Sequence, residues 1–220
     1  MKYTFALLFC LITLLVIHSI ANAQIPVELF KGHQKTTLDI LFFKFIKNKD
    51  SSPTKLLFFN RNRASVDDAM TATNNLPQFG FTEAISYNNK KLHGFAPVVV
   101  ISFLNKGVYP KTGIQYSKNK NDYSIFSWVV IETLKEPNID FFLLGRYTPK
   151  LTQKINLFLQ AELVNTFPTA TIKLYSFTQR FRLGVKLKVF QIGAGLDITQ
   201  LGRNKFTQTQ NLGGFIRYEF

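Results

Sequence analysis

From Tyr175 to Val189, every second residue reads Tyr, Phe, Gln, Phe, Leu, Val, Leu, Val. The positions between them hold Ser176, Thr178, Arg180, Arg182, Gly184, Lys186 and Lys188. A strict period of two is the signature of an extended strand, because successive side chains of a strand point to opposite faces. The parity then switches: Ile192, Ala194, Leu196 and Ile198 are apolar, and Gly193, Gly195, Asp197 and Thr199 are small or polar. A switch of that kind needs a tight turn, expected near Val189–Gln191. The last stretch repeats the pattern. Leu212, Ile216, Tyr218 and Phe220 share one face, and Asn211, Gly213, Arg217 and Glu219 share the other. Leu151 to Val164 alternates in the same way, with Ile155, Leu157, Leu159 and Leu163 set against Asn156, Gln160 and Glu162.

Counting back from Phe220 in these terms gives strands near 210–220, 190–200, 172–188, 153–164, 138–147, 122–133, 108–117, 94–104, 78–88, 54–63 and 36–46. An antiparallel wall with both ends on one side needs an even number of strands. Ile25–His33 supplies a twelfth. Ten strands result if one N-terminal segment lies outside the wall. The expected fold is therefore all-β: an antiparallel up-and-down barrel, with twelve strands favoured. The chain has no linker, low-complexity tract or internal repeat, so residues 24–220 read as one domain.

The N-terminus carries Lys2, an apolar run from Phe5 to Ile17, and the small-residue site Ala21-Asn22-Ala23. Those are the parts of a secretory leader, expected to be cleaved after residue 23. Cys10, the single cysteine, lies inside it; the bulky Phe9 before it argues against lipid modification. The remaining chain has no cysteine and a formal charge of +13, since only Lys2 is lost from +14. An exported chain without disulfides needs another source of rigidity, and a closed sheet provides one. Export also argues against nucleic acid as the target of the positive charge. Lipid phosphates and lipopolysaccharide at a cell surface fit better.

Alternation alone does not separate a membrane barrel from a soluble one, because the soluble barrel has the same period with its faces reversed. Three features favour the membrane. The polar face mixes small residues with charges of both signs. Tyr87, Tyr116, Tyr147 and Tyr218 lie near strand ends, as at membrane interfaces. The last strand closes on an aromatic residue. On this register the connections near 47–53, 89–93, 118–121, 148–152 and 189–190 face the periplasm, and those near 64–77, 105–107, 134–137, 165–171 and 201–209 face outward. The expected location is the outer membrane of a Gram-negative cell. Phe220, with Tyr218 and Ile216, would be the signal read by the barrel-assembly machinery.

Given the leader, the ending Gly213-Gly214-Phe215-Ile216-Arg217-Tyr218-Glu219-Phe220 and the hairpin Ser176–Thr199, the chain resembles the small outer-membrane β-barrels of Bacteroidetes-type bacteria. In layout it also resembles the twelve-stranded nucleoside-specific channel family, where a short first strand precedes a pair like Thr36–Lys47 and Thr54–Arg63. That likeness lies in strand spacing rather than residue motifs. It implies a pore for small solutes and transfers no binding residue.

The candidate chemistry is electrostatic. Arg180, Arg182, Arg217, Glu162, Asp197 and Glu219 fall on the polar face of neighbouring strands, where opposite charges can pair. Either they form a salt-bridge ladder that stiffens or plugs the barrel, or they form a positive constriction that favours anions. Lys186 and Lys188, at the periplasmic mouth, have no evident acidic partner and extend the positive field. Arg61 and Arg63 face the lumen or lipopolysaccharide phosphates. Leu56–Phe59 and Ser124–Ile131 are apolar on both faces, which suits a hydrophobic lumen, an internal plug or a second protomer. Catalysis and metal binding are not expected. Two histidines remain, His33 and His93, with no serine motif or cysteine beside them. No cofactor is expected. The functional expectation is a narrow passive channel for small, anionic or nucleoside-like solutes. The alternative is a closed structural or interaction barrel, and an enzyme acting on lipid or lipopolysaccharide is a distant third.

Overall fold

The computed structural model describes residues 25–68, 77–105, 107–134, 137–170 and 173–220. The leader expected at residues 1–23 lies outside them. The described chain forms twelve strands: β1 (Pro26–Gly32), β2 (Lys35–Lys47), β3 (Pro53–Asp67), β4 (Gln78–Tyr87), β5 (Phe95–Leu104), β6 (Gly107–Asn119), β7 (Tyr123–Glu132), β8 (Asn138–Tyr147), β9 (Asn156–Pro168), β10 (Tyr175–Leu187), β11 (Phe190–Gly202) and β12 (Phe206–Glu219). Each pairs antiparallel with its neighbours in sequence, and β1 pairs with β12 to close the barrel. Closure leaves no strand edge unpaired, which removes the main aggregation hazard of a sheet. The expected twelfth strand is present as β1.

Strand positions match the alternation, but several boundaries move. At the end opposite Phe220, β3, β9 and β11 run on to Asp67, Pro168 and Gly202, and β12 begins at Phe206. The pairs there include Thr199↔Thr209 and Gln200↔Gln208. On β11 and β12 ladder hydrogen bonds continue where both faces have become largely polar, and apolar alternation is blind to that part of a strand. At the Phe220 end, β9 starts at Asn156 rather than near 153, because Thr152 Oγ1 accepts from the backbone N–H groups of Lys154 (3.3 Å) and Ile155 (3.1 Å) and folds that segment into a turn. The turn expected near Val189–Gln191 lies one residue earlier. Leu187 pairs with Phe190, so Lys188 and Val189 make the bend, with Lys188 at φ 55°.

The seam has a device of its own. β1 ends at Gly32 and turns into β2 at Lys35, while β12 extends past that turn. Asn211 fills the gap with its side chain: Oδ1 accepts from Gln34 N (2.9 Å) and Lys35 N (3.1 Å), and Nδ2 donates to Lys35 O (2.9 Å). A Cβ at Gly32 would lie 2.1 Å from that Oδ1, so only glycine fits beneath it. At the other end of the seam, Ile25 and Phe220 exchange both backbone hydrogen bonds at 3.1 Å.

The outward face is apolar over most of the wall: Leu38, Phe81, Val99, Ile114, Val129, Leu183, Ile192, Leu212 and Ile216 are all exposed there. The face expected at the last strand is observed, with Leu212, Ile216 and Phe220 exposed and Arg217 inside. The stretches apolar on both faces also find their places. Leu57, Phe59, Phe126, Trp128 and Val130 point inward and join Leu41, Ala84, Val98, Val100, Phe142 and Leu144 in a hydrophobic cluster inside the barrel. Its aromatic rings touch at 4.7–4.9 Å between centroids for Phe59–Trp128, Phe59–Phe126 and Phe43–Phe126.

Candidate functional site

The interior has two unlike halves. Between β2 and β8 it is the hydrophobic cluster just described. Between β9 and β3, across the seam, it is a network of charged side chains. Alternation explains why they are inside: Glu28, Asp39, Arg61, Glu162, Arg180, Arg182, Asp197 and Arg217 all occupy inward positions of their strands. Arg180 lies opposite both Glu162 on β9 and Asp197 on β11.

The bonds within the network are specific. Arg61 donates Nη2 to Asp39 at 2.6 Å and Nη1 to Glu162 at 2.7 Å. The second of these bonds crosses the lumen from β3 to β9. Glu162 also pairs with Arg180. Arg63 bridges Asp39 (3.4 Å) and Asp197 (3.0 Å). Arg182 joins Asp197 (2.7 Å) to Glu28 (2.9 Å), and Arg217 binds the other oxygen of Glu28. Five arginines thus share four carboxylates, and the excess charge is positive. Arg146 enters through Gln160 Oε1 at 2.7 Å, an oxygen that also accepts from Arg217 at 3.1 Å. Two guanidiniums lie over aromatic faces, Arg182 over Phe30 (4.0 Å) and Arg217 over Phe158 (4.8 Å). Room for the first comes from Gly195, where a Cβ would stand 2.9 Å from both Arg182 and Phe30.

Arg180, Arg182, Glu162, Asp197 and Arg217 are brought together, as are Arg61 and Arg63, which face the lumen. Lys186 is a correction: it is paired, with its Nζ 2.5 Å from Glu219, whose second oxygen accepts from Gln191 Nε2. The partner comes from β12, two strands away, and only the closed wall brings it near. Lys188 lies in the turn, outside the network. His33 lies at the seam, its Nδ1 accepting from Leu212 N at 3.0 Å. His93 caps a short turn at the Phe220 end with φ 50°.

Three members of the network escaped sequence reading: Glu28, Asp39 and Arg146. Glu28 meets Arg217 from 189 positions away, a proximity created by closure. Asp39 carried a usable signal, an acidic residue at an inward position beside the apolar Leu41. A separate pair, Lys111 with Asp140, lies toward the end opposite Phe220.

Two interior cavities lie at that same end. A cavity of about 310 Å³ is lined by Thr178, Thr199 and Thr209, with Arg63, Arg180 and Asp197 among its walls. A second, of about 200 Å³, sits over Phe59, Trp128 and Phe142 beneath Lys111, Asp140 and Thr166. Nearer Phe220, the cavity among Glu28, Asp39, Arg146 and Arg217 holds only about 10 Å³. That is about one water sphere. The arrangement can receive small polar solutes at one end, with a positive bias, and is closed below by ion pairs.

No family model matches the sequence, and no curated protein matches it. Among solved structures, a similar chain path occurs in the KdgM porin in complex with disordered oligogalacturonate. Identity is 14%, 90% of this chain and 99% of that one are covered, and the TM-score is 0.49. A bacterial polysaccharide outer membrane secretin is similar at 8% identity, covering 92% of this chain and 100% of that one, with a TM-score of 0.44. The beta domain of the Bordetella autotransporter BrkA is similar at 11% identity, covering 90% and 100%, with a TM-score of 0.38.

Proposed function

We propose that the protein is a channel-type outer-membrane β-barrel that admits small anionic or nucleoside-like solutes and is closed at rest by its own ion pairs. The observation that carries this reading is the threonine-lined cavity walled by Arg63 and Arg180, whose wall includes the Arg63–Asp197 ion pair. The membrane setting is supported by the apolar outward face, with charge concentrated inside. In this reading the Phe220 end faces the periplasm and the cavities open outward. Phe220, Tyr218 and Ile216 present the outward face read by the assembly machinery, and lipid and lipopolysaccharide surround the wall. The likeness to the Bacteroidetes-type small barrels belongs to the same proposal. No catalytic role is assigned.

A second reading, a permanently closed structural or interaction barrel, is favoured by one specific observation: Phe126 and Leu144, deep in the lumen, are 0% exposed. Conductance in planar bilayers separates the two. The channel reading expects small, infrequent, anion-selective openings. Replacing Arg180 and Arg182 with Gln should lower the anion preference. Unchanged selectivity removes those arginines from the selective role. A silent bilayer with folded, heat-modifiable protein overturns the channel and leaves the closed barrel.

A further inference from the structure

Isolated polar residues such as Ser127 and Gln179 occur on the outward face, and among the described residues it has one break of another kind, a polar cluster that includes a carboxylate. Asn60 and Asn62 on β3 and Glu83 on β4 occupy outward positions, and Asn60 lies directly opposite Glu83 in the ladder. Every other strand carboxylate among the described residues, from Glu28 on β1 to Glu219 on β12, falls on an inward position. The break is not at a rim. On the same strands Phe58 and Ile85 lie on one side of it and Ala64 and Phe81 on the other, with Phe42 and Ile101 as cross-strand neighbours. Glu83 is five residues from the start of β4 and four from its end. At about 3.4 Å per residue and a tilt near 40°, that places it roughly 13 Å below one rim and 10 Å above the other. An apolar band is roughly 25 Å tall in such barrels, so Glu83 sits near its middle.

The three side chains form a short hydrogen-bonded ladder that is incompletely satisfied. Asn62 Nδ2 donates to Asn60 Oδ1 (3.1 Å), and Asn60 Nδ2 donates to Glu83 Oε1 at 3.4 Å, a long bond. Asn60 is 7% exposed and recessed, whereas Glu83 is exposed. One hydrogen of the Asn62 amide and the second carboxyl oxygen of Glu83 therefore point into surroundings where acyl chains offer neither donor nor acceptor. Polar groups at that depth are costly and mark function.

We infer that this patch is the contact between two copies of the chain, in which Asn62 of each copy hydrogen-bonds Glu83 of the other. The set is self-complementary: an amide donor and a carboxyl acceptor, side by side on one wall, meet their opposites when a second copy is turned by a two-fold axis. Lipid cannot supply those bonds, and a second copy supplies both at once. Phe81 and Ile85, 44% and 49% exposed beside the patch, provide the apolar surround that such a contact buries. The inference rests on the membrane placement proposed above.

The test uses the full chain refolded into phosphatidylcholine vesicles. The wild type should self-associate, read by energy transfer between separately labelled populations at increasing dilution in lipid. Glu83→Leu and Asn62→Leu should each weaken association at least ten-fold. Glu83→Gln, which keeps the hydrogen bonds, should retain it, so the idea stays testable should the leucine variants fold poorly. Ile85→Cys should cross-link between copies, and Leu183→Cys, exposed on β10 across the barrel, should not. A wild type that inserts but remains monomeric overturns the inference, as does association unaffected by either leucine variant. A chain that fails to insert at all overturns the membrane placement instead.

Discussion

Glu162 takes bonds from Arg61 and Arg180, and its side chain is 1% exposed. Its contribution to net stability is modest, because desolvation of buried ions offsets most of their attraction. Removing one partner is a different matter, since the remaining charges stay buried. Glu162→Ala should lower unfolding stability in vesicles by about 3–5 kcal/mol. The readout is the shift in urea midpoint at unchanged slope. A shift below about 1 kcal/mol would mean that Arg61 and Arg180 find water or another acceptor. Lys188 tests the opposite end of the scale. Its φ of 55° is the left-handed conformation, which costs an ordinary residue about 1–2 kcal/mol and glycine almost nothing. Lys188→Gly should raise the same urea midpoint, and Lys188→Val should lower it. Equal stability of all three would remove the turn from the account.

At the level of elements, β1 is the outlier. It has seven residues beside the thirteen of β2 and fourteen of β12. It is held by two ladders, by the Asn211 clip and by Glu28, which binds both Arg182 and Arg217. Asn211→Ala should loosen the seam beside Gly32 without disturbing the β10–β11 hairpin. Hydrogen exchange should therefore speed up at Gln34 and Lys35 and stay slow at Leu183 and Ala194. Uniform acceleration would argue against a local clip. The elements also show what the sequence can reveal. The strand with the clearest apolar alternation, expected at 172–188 and found at Tyr175–Leu187, was legible to within three residues at its start and one at its end. The ends of β11 and β12 opposite Phe220 were not, because hydrogen bonding that continues between two polar faces leaves no apolar trace. Within the site, Arg180 with Glu162 and Asp197 was legible, since strand neighbours in sequence are neighbours in the wall. Glu28 with Arg217, and Lys186 with Glu219, were not. Those contacts exist only after closure or across two strands, and local pattern contains neither.

For the whole molecule, the division of the lumen matters most. Aromatic and aliphatic side chains fill most of the β2–β8 half, with the Lys111–Asp140 pair at the end opposite Phe220, while the β9–β3 half depends on charges drawn from both ends of the chain. Replacing Phe220 with Ala should reduce assembled barrel in cells more than it changes solute preference, measured as heat-modifiable protein against conductance per folded molecule. A larger effect on preference would put Phe220 in the wrong role. The brevity of β1 has a mechanical corollary. A cylinder with one narrow stave has a preferred line of rupture, so strain along the wall should part it beside β1 before any other joint. Pulled or heated, this barrel should unzip like a seam, with Glu28 as its last stitch.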